Sequence, residues 1–102
     1  MFTGYIYIIF SEQHNNIYIG STKLELADRL QQHELNLRKY NRGKYNYVSS
    51  FDVLNLGNYT IQYIHKGEYK NRKALRQQEG RTLKKFMKMK KFNVVNDKME
   101  GE

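Results

Sequence analysis

The chain has 102 residues, of which 39% are hydrophobic and 14% aromatic, and this composition predicts one small folded domain. Cysteine is absent, which excludes disulfides and thiolate metal sites, so any metal must be held by oxygen or imidazole ligands. The formal net charge of +8 predicts affinity for a polyanion such as nucleic acid. We find no leader-like N-terminus and no apolar run of about 20 residues, so we expect an intracellular protein without a membrane span.

The first predicted elements are two strands joined by a polar turn. Residues 2–10 (FTGYIYIIF) and 17–20 (IYIG) have the isoleucine and tyrosine content that is typical of strands. In a hairpin, the residue numbers of each directly paired couple have the same sum. In either of the two shortest registers in which this sum is odd, Tyr7 and Tyr18 project from the same face. Gly20 ends the second strand at a point where a side chain would crowd an approaching group.

A helix is predicted over roughly residues 24–41, with Ser21 or Thr22 as its cap. At about 100° per residue, one side of this helix is apolar but also carries His33, and Arg29 lies at its margin. Arg29 and His33 are one turn apart, so both side chains can reach the same point. The apolar members of this stripe are Leu26, Leu30 and Leu37.

The middle of the chain has a weaker pattern. Ser49 or Ser50 is expected to cap a short helix that ends at Gly57. Residues 59–65 (YTIQYIH) are predicted to form a third strand.

The last large element is a predicted helix from about residue 71 to 91. Glu79 lies in the middle of its apolar stripe, which is formed by Leu75, Leu83, Phe86 and Met89. A lone carboxylate is costly to bury, so Glu79 is a candidate functional residue. Gly80 weakens a helix, and we interpret it as a mark of close contact with another element. A short extended piece, FNVVND, follows.

Most of the positive charge lies in this C-terminal half. From Lys66 to Lys91 there are 11 Lys and Arg residues against two Glu residues. We expect one basic face of the long helix to point away from Glu79, and it is either a solvated surface or a non-specific phosphate contact. This face comprises Lys73, Arg76, Lys84 and Lys88.

Six residues occur in an order that resembles the GIY-YIG nuclease superfamily, and the resemblance extends from residue 3 to about residue 97. They are Tyr7 in GYIYI, Tyr18 in NNIYIGST, Arg29, His33, Glu79 in LRQQEGRTL and Asn96 in NVVND. The sequence departs from the family pattern in two places. The first motif is YIY rather than GIY, with Gly4 displaced by one position, and the spacing from Tyr18 to Arg29 is about one residue longer than usual.

The resemblance implies an α+β fold in which helices flank a small, mostly antiparallel sheet of three strands. It also implies metal-dependent cleavage of DNA that leaves 5′-phosphate and 3′-hydroxyl ends. Glu79 would be the protein ligand of one divalent cation, Mg²⁺ or Mn²⁺, and Arg29 would brace the phosphate. Tyr7 and Tyr18 would orient or deprotonate the attacking water, and which of them is the base stays open.

The same resemblance assigns His33 as the acceptor of the proton and gives Gly20 and Asn96 structural roles at the site. Lys23 is a weaker candidate for a phosphate contact. Residues 1–97 are expected to form the nuclease domain, and residues 98–102 a frayed C-terminus or truncated linker. DNA is the expected partner, and we expect this chain to bind it with little or no sequence preference. A fused or separate DNA-recognition domain is compatible with this pattern.

Each of these residues also has an ordinary structural interpretation. Tyr7 and Tyr18 can be cross-strand aromatic residues, His33 a hydrogen-bonded core histidine, and Arg29 the partner of Glu25. Two other functions compete with the endonuclease. One is a nucleic-acid-binding module on the same fold that does not cleave, and the other is a basic protein-interaction domain. The latter accounts for the charge but leaves Glu79 in an apolar stripe unexplained.

Overall fold

One mixed sheet forms the centre of the computed structural model, which describes residues 1–96. Within these residues the sheet has four strands, which are β1 (Phe2–Ser11), β2 (Asn16–Thr22), β3 (Tyr59–Tyr69) and β4 (Asn93–Val94). Their order in the sheet is β3-β1-β2-β4, and β1 pairs antiparallel with both of its neighbours. The expected count of three strands is therefore wrong. The additional strand, β4, pairs parallel with β2 and has only two residues. A strand of this length cannot be distinguished from an extended loop in the sequence. The predicted frayed end or linker, residues 98–102, lies outside the described residues.

Three helices accompany the sheet within the described range, at the places where helices were predicted, but the last one ends at Met87 rather than near residue 91. They are α1 (Leu26–Asn41), α2 (Phe51–Leu54) and α3 (Arg72–Met87). The expected cap of α1 is wrong, because this helix begins after Glu25, and its N-cap makes no side-chain hydrogen bond. Thr22 instead accepts a hydrogen bond from the backbone N–H of Leu24 in the preceding turn. No helix of residues 1–96 is long and apolar enough to cross a membrane.

The register of the hairpin places both tyrosines as predicted. Tyr7 is opposite Gly20, and Ile9 is opposite Tyr18. Alternate residues of a strand share a face, so Tyr7 and Tyr18 lie diagonally across the pair on the same side, with ring centroids 6.4 Å apart. The hairpin therefore presents two phenol rings to α1.

Each face of the sheet is covered by different helices. On one face, α1 and α2 pack against a cluster that includes Tyr7, Ile9, Tyr18 and Phe51. On the other face, Leu75 of α3 packs against a cluster from β1 and β2, made of Ile6, Ile17 and Ile19. The strands β1 and β2 are thus buried on both sides, and residues of α1 and α3 can meet only beyond an end or an edge of a strand.

Two glycines have opposite surroundings. A Cβ atom at Gly20 would lie 2.4 Å from Tyr7 Oη and 2.5 Å from Tyr7 Cζ, so the Tyr7 ring occupies the space that a side chain would need. A Cβ at Gly80 would meet nothing within 4 Å. The expectation that Gly80 marks a close contact is therefore wrong, and this glycine weakens α3 without a packing reason.

Substitution of the two glycines by alanine is expected to change stability in opposite directions. Gly20→Ala should lower the free energy of unfolding by about 1–3 kcal/mol, because Tyr7 is fully buried and its ring cannot move aside easily. Gly80→Ala should raise it by up to about 1 kcal/mol, since alanine has the higher helix propensity. Urea unfolding of both variants and the wild type measures the two changes. Equal effects would show that Gly20 is not held against Tyr7.

Candidate active site

A cleft of about 550 Å³ opens at the end of β2, where the two faces of the sheet meet. Tyr7, Tyr18 and Arg29 line it from the side of α1. Glu79 lines it from α3, on the other side of the sheet, and Lys23 from the segment that follows β2. Five residues predicted from the sequence therefore lie around one space, although they come from both faces of the sheet.

Tyr7 is at the centre of the polar contacts on the α1 side. Its hydroxyl lies 2.8 Å from His33 Nε2 and accepts a hydrogen bond from Arg29 Nε at 3.2 Å. Arg29 Nη1 also donates to Gln32 at 2.8 Å, which fixes the guanidinium plane. Glu25, the alternative partner of Arg29, accepts a hydrogen bond from Tyr5. Although the spacing between Tyr18 and Arg29 is about one residue longer than is usual in the family, the Arg29 guanidinium still contacts Tyr7.

His33 lies behind Tyr7 and is almost completely buried, with 2% of its surface exposed. Burial, together with the positive charge of Arg29, lowers the pKa of His33 to about 3. At neutral pH the ring is therefore uncharged, with one nitrogen that donates and one that accepts. Its edge also packs against the rings of Tyr7 and Tyr18, with centroid distances of 5.9 and 5.6 Å.

The other ring nitrogen of His33 has a partner that sequence reasoning missed. Ser50 Oγ lies 2.8 Å from His33 Nδ1, and Ser50 is fully buried. Ser50 was expected as a helix cap, and it does occupy the N-cap of α2, but its side chain makes no capping hydrogen bond. Arg29 already donates to the Tyr7 hydroxyl, which favours a tautomer in which Tyr7 donates to Nε2 and Nδ1–H donates to Ser50.

Glu79 is connected to β2 by a hydroxyl. Ser21 Oγ donates a hydrogen bond of 2.5 Å to Glu79 Oε1, which directs the carboxylate toward the end of the strand. The charged group is therefore bound in place at the border of the α3 core rather than buried within it. This contact explains how an acidic residue is accommodated in the apolar stripe of α3.

Asn96 is attached to β2 beyond the cleft. Its Oδ1 accepts from the backbone N–H of Ile19 at 2.9 Å, and its Nδ2 donates to the carbonyl of Ile19 at 2.7 Å. The amide thus makes the pair of hydrogen bonds that a neighbouring strand would make. Asn96 holds the segment after β4 against the strand that carries Tyr18.

Arg72 and Arg76 also line the cleft, and neither was predicted there. The expectation that Arg76 points away from Glu79 is wrong. Arg76 precedes Glu79 by three residues, which on a helix is a rotation of only about 60°. The charge pattern of the sequence contained this signal, because both arginines fall within a turn or two of Glu79.

A comparison with protein-family models matches residues 3–93 to the GIY-YIG catalytic domain. The cleft belongs to a nuclease-type domain, and the chain is a member of the GIY-YIG family. Neither the curated proteins nor the solved structures that were compared give a match.

GIY-YIG nucleases generally depend on a divalent metal, and the donor set of the cleft fits such an ion. Residues 1–96 contain no group of three or more His, Asp or Glu side chains that could hold a metal. The cleft offers the Glu79 carboxylate, the adjacent Ser21 hydroxyl and room for several waters. Mg²⁺ typically binds through one or two carboxylates and retains several waters, so these residues are compatible with it.

The buried His33 predicts a pH dependence of stability. Its pKa falls from about 6.5 in the unfolded chain to about 3 in the folded one, so the unfolded chain takes up the proton first as the pH decreases. The contribution of His33 is complete above pH ~6.5 and is lost toward pH ~3, with a slope of up to about 1.4 kcal/mol per pH unit. Urea unfolding between pH 7.5 and 4.5 should show a shallower decline for His33→Gln than for the wild type.

His14→Gln is the matched control, because His14 is exposed in the turn between β1 and β2. This variant should keep the wild-type dependence on pH. Parallel curves for the wild type and His33→Gln would contradict the assignment of a buried, uncharged ring.

Removal of the Ser50 hydroxyl should change the tautomer of His33. In the wild type, ¹⁵N NMR is expected to show the proton on Nδ1, and Ser50→Ala should increase the population with the proton on Nε2, where Tyr7 can accept it. Ser11→Ala removes an equally buried hydroxyl, one that donates to the Gly57 carbonyl, and should leave the His33 signals unchanged. An unchanged tautomer in Ser50→Ala would exclude this role of Ser50.

Proposed function

We propose that this protein is a divalent-metal-dependent DNA endonuclease. The observation that supports it best is the Tyr7 hydroxyl, which contacts both a neutral His33 and the Arg29 guanidinium beside a cleft that Glu79 lines. A hydroxyl with a proton acceptor on one side and a fixed cation on the other is suited to activate a water molecule.

Tyr7 takes the role of water activation in this proposal. A free tyrosine has a pKa of about 10 and is a weak base at neutral pH. The hydrogen bond from Arg29 stabilises the phenolate, and His33 Nε2 can receive the phenolic proton. Tyr18 lines the same cleft and helps to orient the water.

Binding of the substrate would increase the basicity of His33. Burial is the larger cause of the lowered pKa of His33, and the positive charge of Arg29 adds to it. A phosphodiester that pairs with Arg29 neutralises this charge, so the imidazolium becomes less unfavourable when the substrate is present. Proton acceptance by His33 is thereby linked to the occupied cleft.

Arg29 is the proposed stabiliser of the scissile phosphate, with Lys23 as an additional contact. A guanidinium that is already fixed by Tyr7 and Gln32 needs little reorganisation when negative charge develops on the phosphate oxygens.

Glu79 is the proposed ligand of Mg²⁺ or Mn²⁺, oriented by the hydrogen bond from Ser21. A cation bound there would supply Lewis-acid polarisation of the phosphate and stabilise the leaving oxygen. In the reaction a bond forms between the water oxygen and phosphorus, and a proton of the water passes to the Tyr7 oxygen as the Tyr7 proton passes to His33 Nε2. The bond from phosphorus to the 3′ oxygen breaks, and this oxygen takes up a proton from solvent. The products are a 5′-phosphate and a 3′-hydroxyl, as the family resemblance implies.

Supercoiled plasmid with Mg²⁺ or Mn²⁺ tests this proposal. The wild type should convert it to the nicked form, and Glu79→Ala should be slower by at least about 100-fold, as is typical for the loss of a group that stabilises the transition state. Tyr7→Phe should lose a similar factor, since it removes the hydroxyl between Arg29 and His33. Nicking rates from gel densitometry measure these effects.

Glu12→Ala serves as the control, because Glu12 is exposed at the end of β1, and this variant should nick at the wild-type rate. Equal activity of Glu79→Ala and the wild type would contradict the assignment of Glu79. If the wild type binds DNA and cleaves none with either metal, the non-cleaving binding module becomes the better description.

A further inference from the structure

The cleft carries more positive charge than one phosphodiester can neutralise. Among the residues of the described chain that line it, the cations are Lys23, Arg29, Arg72 and Arg76, and Glu79 is the carboxylate. The formal surplus is three positive charges, and each phosphodiester brings one negative charge. Arg29 and Lys23 account for the scissile phosphate in the proposed reaction. Arg72 and Arg76 are left over.

Arg72 and Arg76 also line a second depression of about 850 Å³ on the outer side of α3. Its other cations are Lys73, Arg81 and Lys84, and no carboxylate from residues 1–96 lines it. The two arginines thus belong to both depressions, and the positive surface is continuous from the cleft onto the helix. We call this outer depression the α3 groove.

The α3 helix bears an energetic cost for this arrangement. Arg72 and Arg76 are four residues apart, and like charges at this spacing repel each other on a helix. A bound polyanion would remove that repulsion. The cost therefore favours a ligand over a merely solvated face.

Gly80 gives the α3 groove an open floor. It lines the groove between Arg76 and Arg81, and a side chain there would meet nothing within 4 Å. A residue without a side chain allows a ligand to approach the backbone closely. The helix-weakening glycine thus lies where the groove would receive a phosphate.

The length of the α3 groove fits a nucleic-acid strand. Arg72 and Lys84 are twelve residues apart, which corresponds to about 18 Å along the helix axis. One strand of duplex DNA carries a phosphate about every 3.4 Å along its axis. The groove is therefore long enough for several consecutive phosphates.

We propose that Arg72 and Arg76 form a second phosphate subsite next to the scissile position, and that the bound DNA strand continues from it along the α3 groove to Arg81 and Lys84. This inference rests on the proposed function, from which it takes DNA as the ligand. The contacts are to the backbone, so the subsite adds affinity without reading sequence.

The salt dependence of DNA binding tests the subsite. Fluorescence anisotropy of a labelled 20-base-pair duplex, in EDTA so that the wild type does not cleave, gives the slope of log K against log salt concentration. Each phosphate neutralised on duplex DNA contributes about 0.9 to this slope. Arg72→Gln/Arg76→Gln should lower its magnitude by about 1.8 and weaken binding at low salt by about tenfold or more. Arg81→Gln/Lys84→Gln should also lower it.

Lys39→Gln/Lys44→Gln is the matched control. It removes the same charge from the C-terminal part of α1 and the segment that follows it, at two exposed positions that line neither depression. An unchanged slope in this control, with the reduced slope in Arg72→Gln/Arg76→Gln, would support the subsite. Equal slopes for both double variants, or no binding of DNA by the wild type, would overturn it.

The binding slope and the nicking assay test the subsite and the endonuclease activity separately. If the wild type nicks plasmid but Arg72→Gln/Arg76→Gln keeps the wild-type slope, the subsite is wrong and the endonuclease stands. If the slope falls as expected but the wild type never nicks, the subsite stands as part of a binding module.

Discussion

The rest of the structure depends on how one buried hydroxyl is satisfied. Tyr7 has no exposed surface, yet its hydroxyl must find polar partners, and it finds them in His33 and Arg29 of α1. These two contacts fix where α1 lies on the sheet. They in turn require that Gly20 leave room for the phenol ring and that Ser50 complete the hydrogen bonding of the imidazole. The contacts that pack the core are thus the same contacts that hold the residues proposed to activate water.

The cleft lies at the end of β2, next to the hydrogen bonds that Tyr7 makes with α1. The two faces of the sheet are covered by different helices, so a tyrosine on one face and a carboxylate on the other are separated along most of the strand. Ser21 lies near the end of β2 on the α3 face, and its hydroxyl contacts Glu79 there, beside the cleft that Tyr7 and Tyr18 line from the other face. Chemistry that needs a proton acceptor and an anionic ligand can therefore be divided between two layers of the fold.

Periodic patterns in the sequence predicted most of this arrangement. Alternation in β1 and β2 was enough to place Tyr7 and Tyr18 together, and helical spacing was enough to bring Arg29 to His33. The prediction was wrong for Arg76, although helical spacing alone places this residue only about 60° from Glu79. The role of Ser50 was missed because a serine before a short helix is normally interpreted as its cap. The two-residue β4 has too few residues to show any period at all.

The side chain of Asn96 affects whether the sheet of one molecule can pair with the sheet of another. Together with β4 it occupies hydrogen-bonding positions along β2 from Asn16 to Ile19, which would otherwise form an open edge. Open edges are templates for strand pairing between molecules and hence for aggregation. The other border of the sheet is β3, where Lys66 and Lys70 place charge at its C-terminal end. The edge of the strand that carries Tyr18 is thereby covered by β4 and the Asn96 amide together.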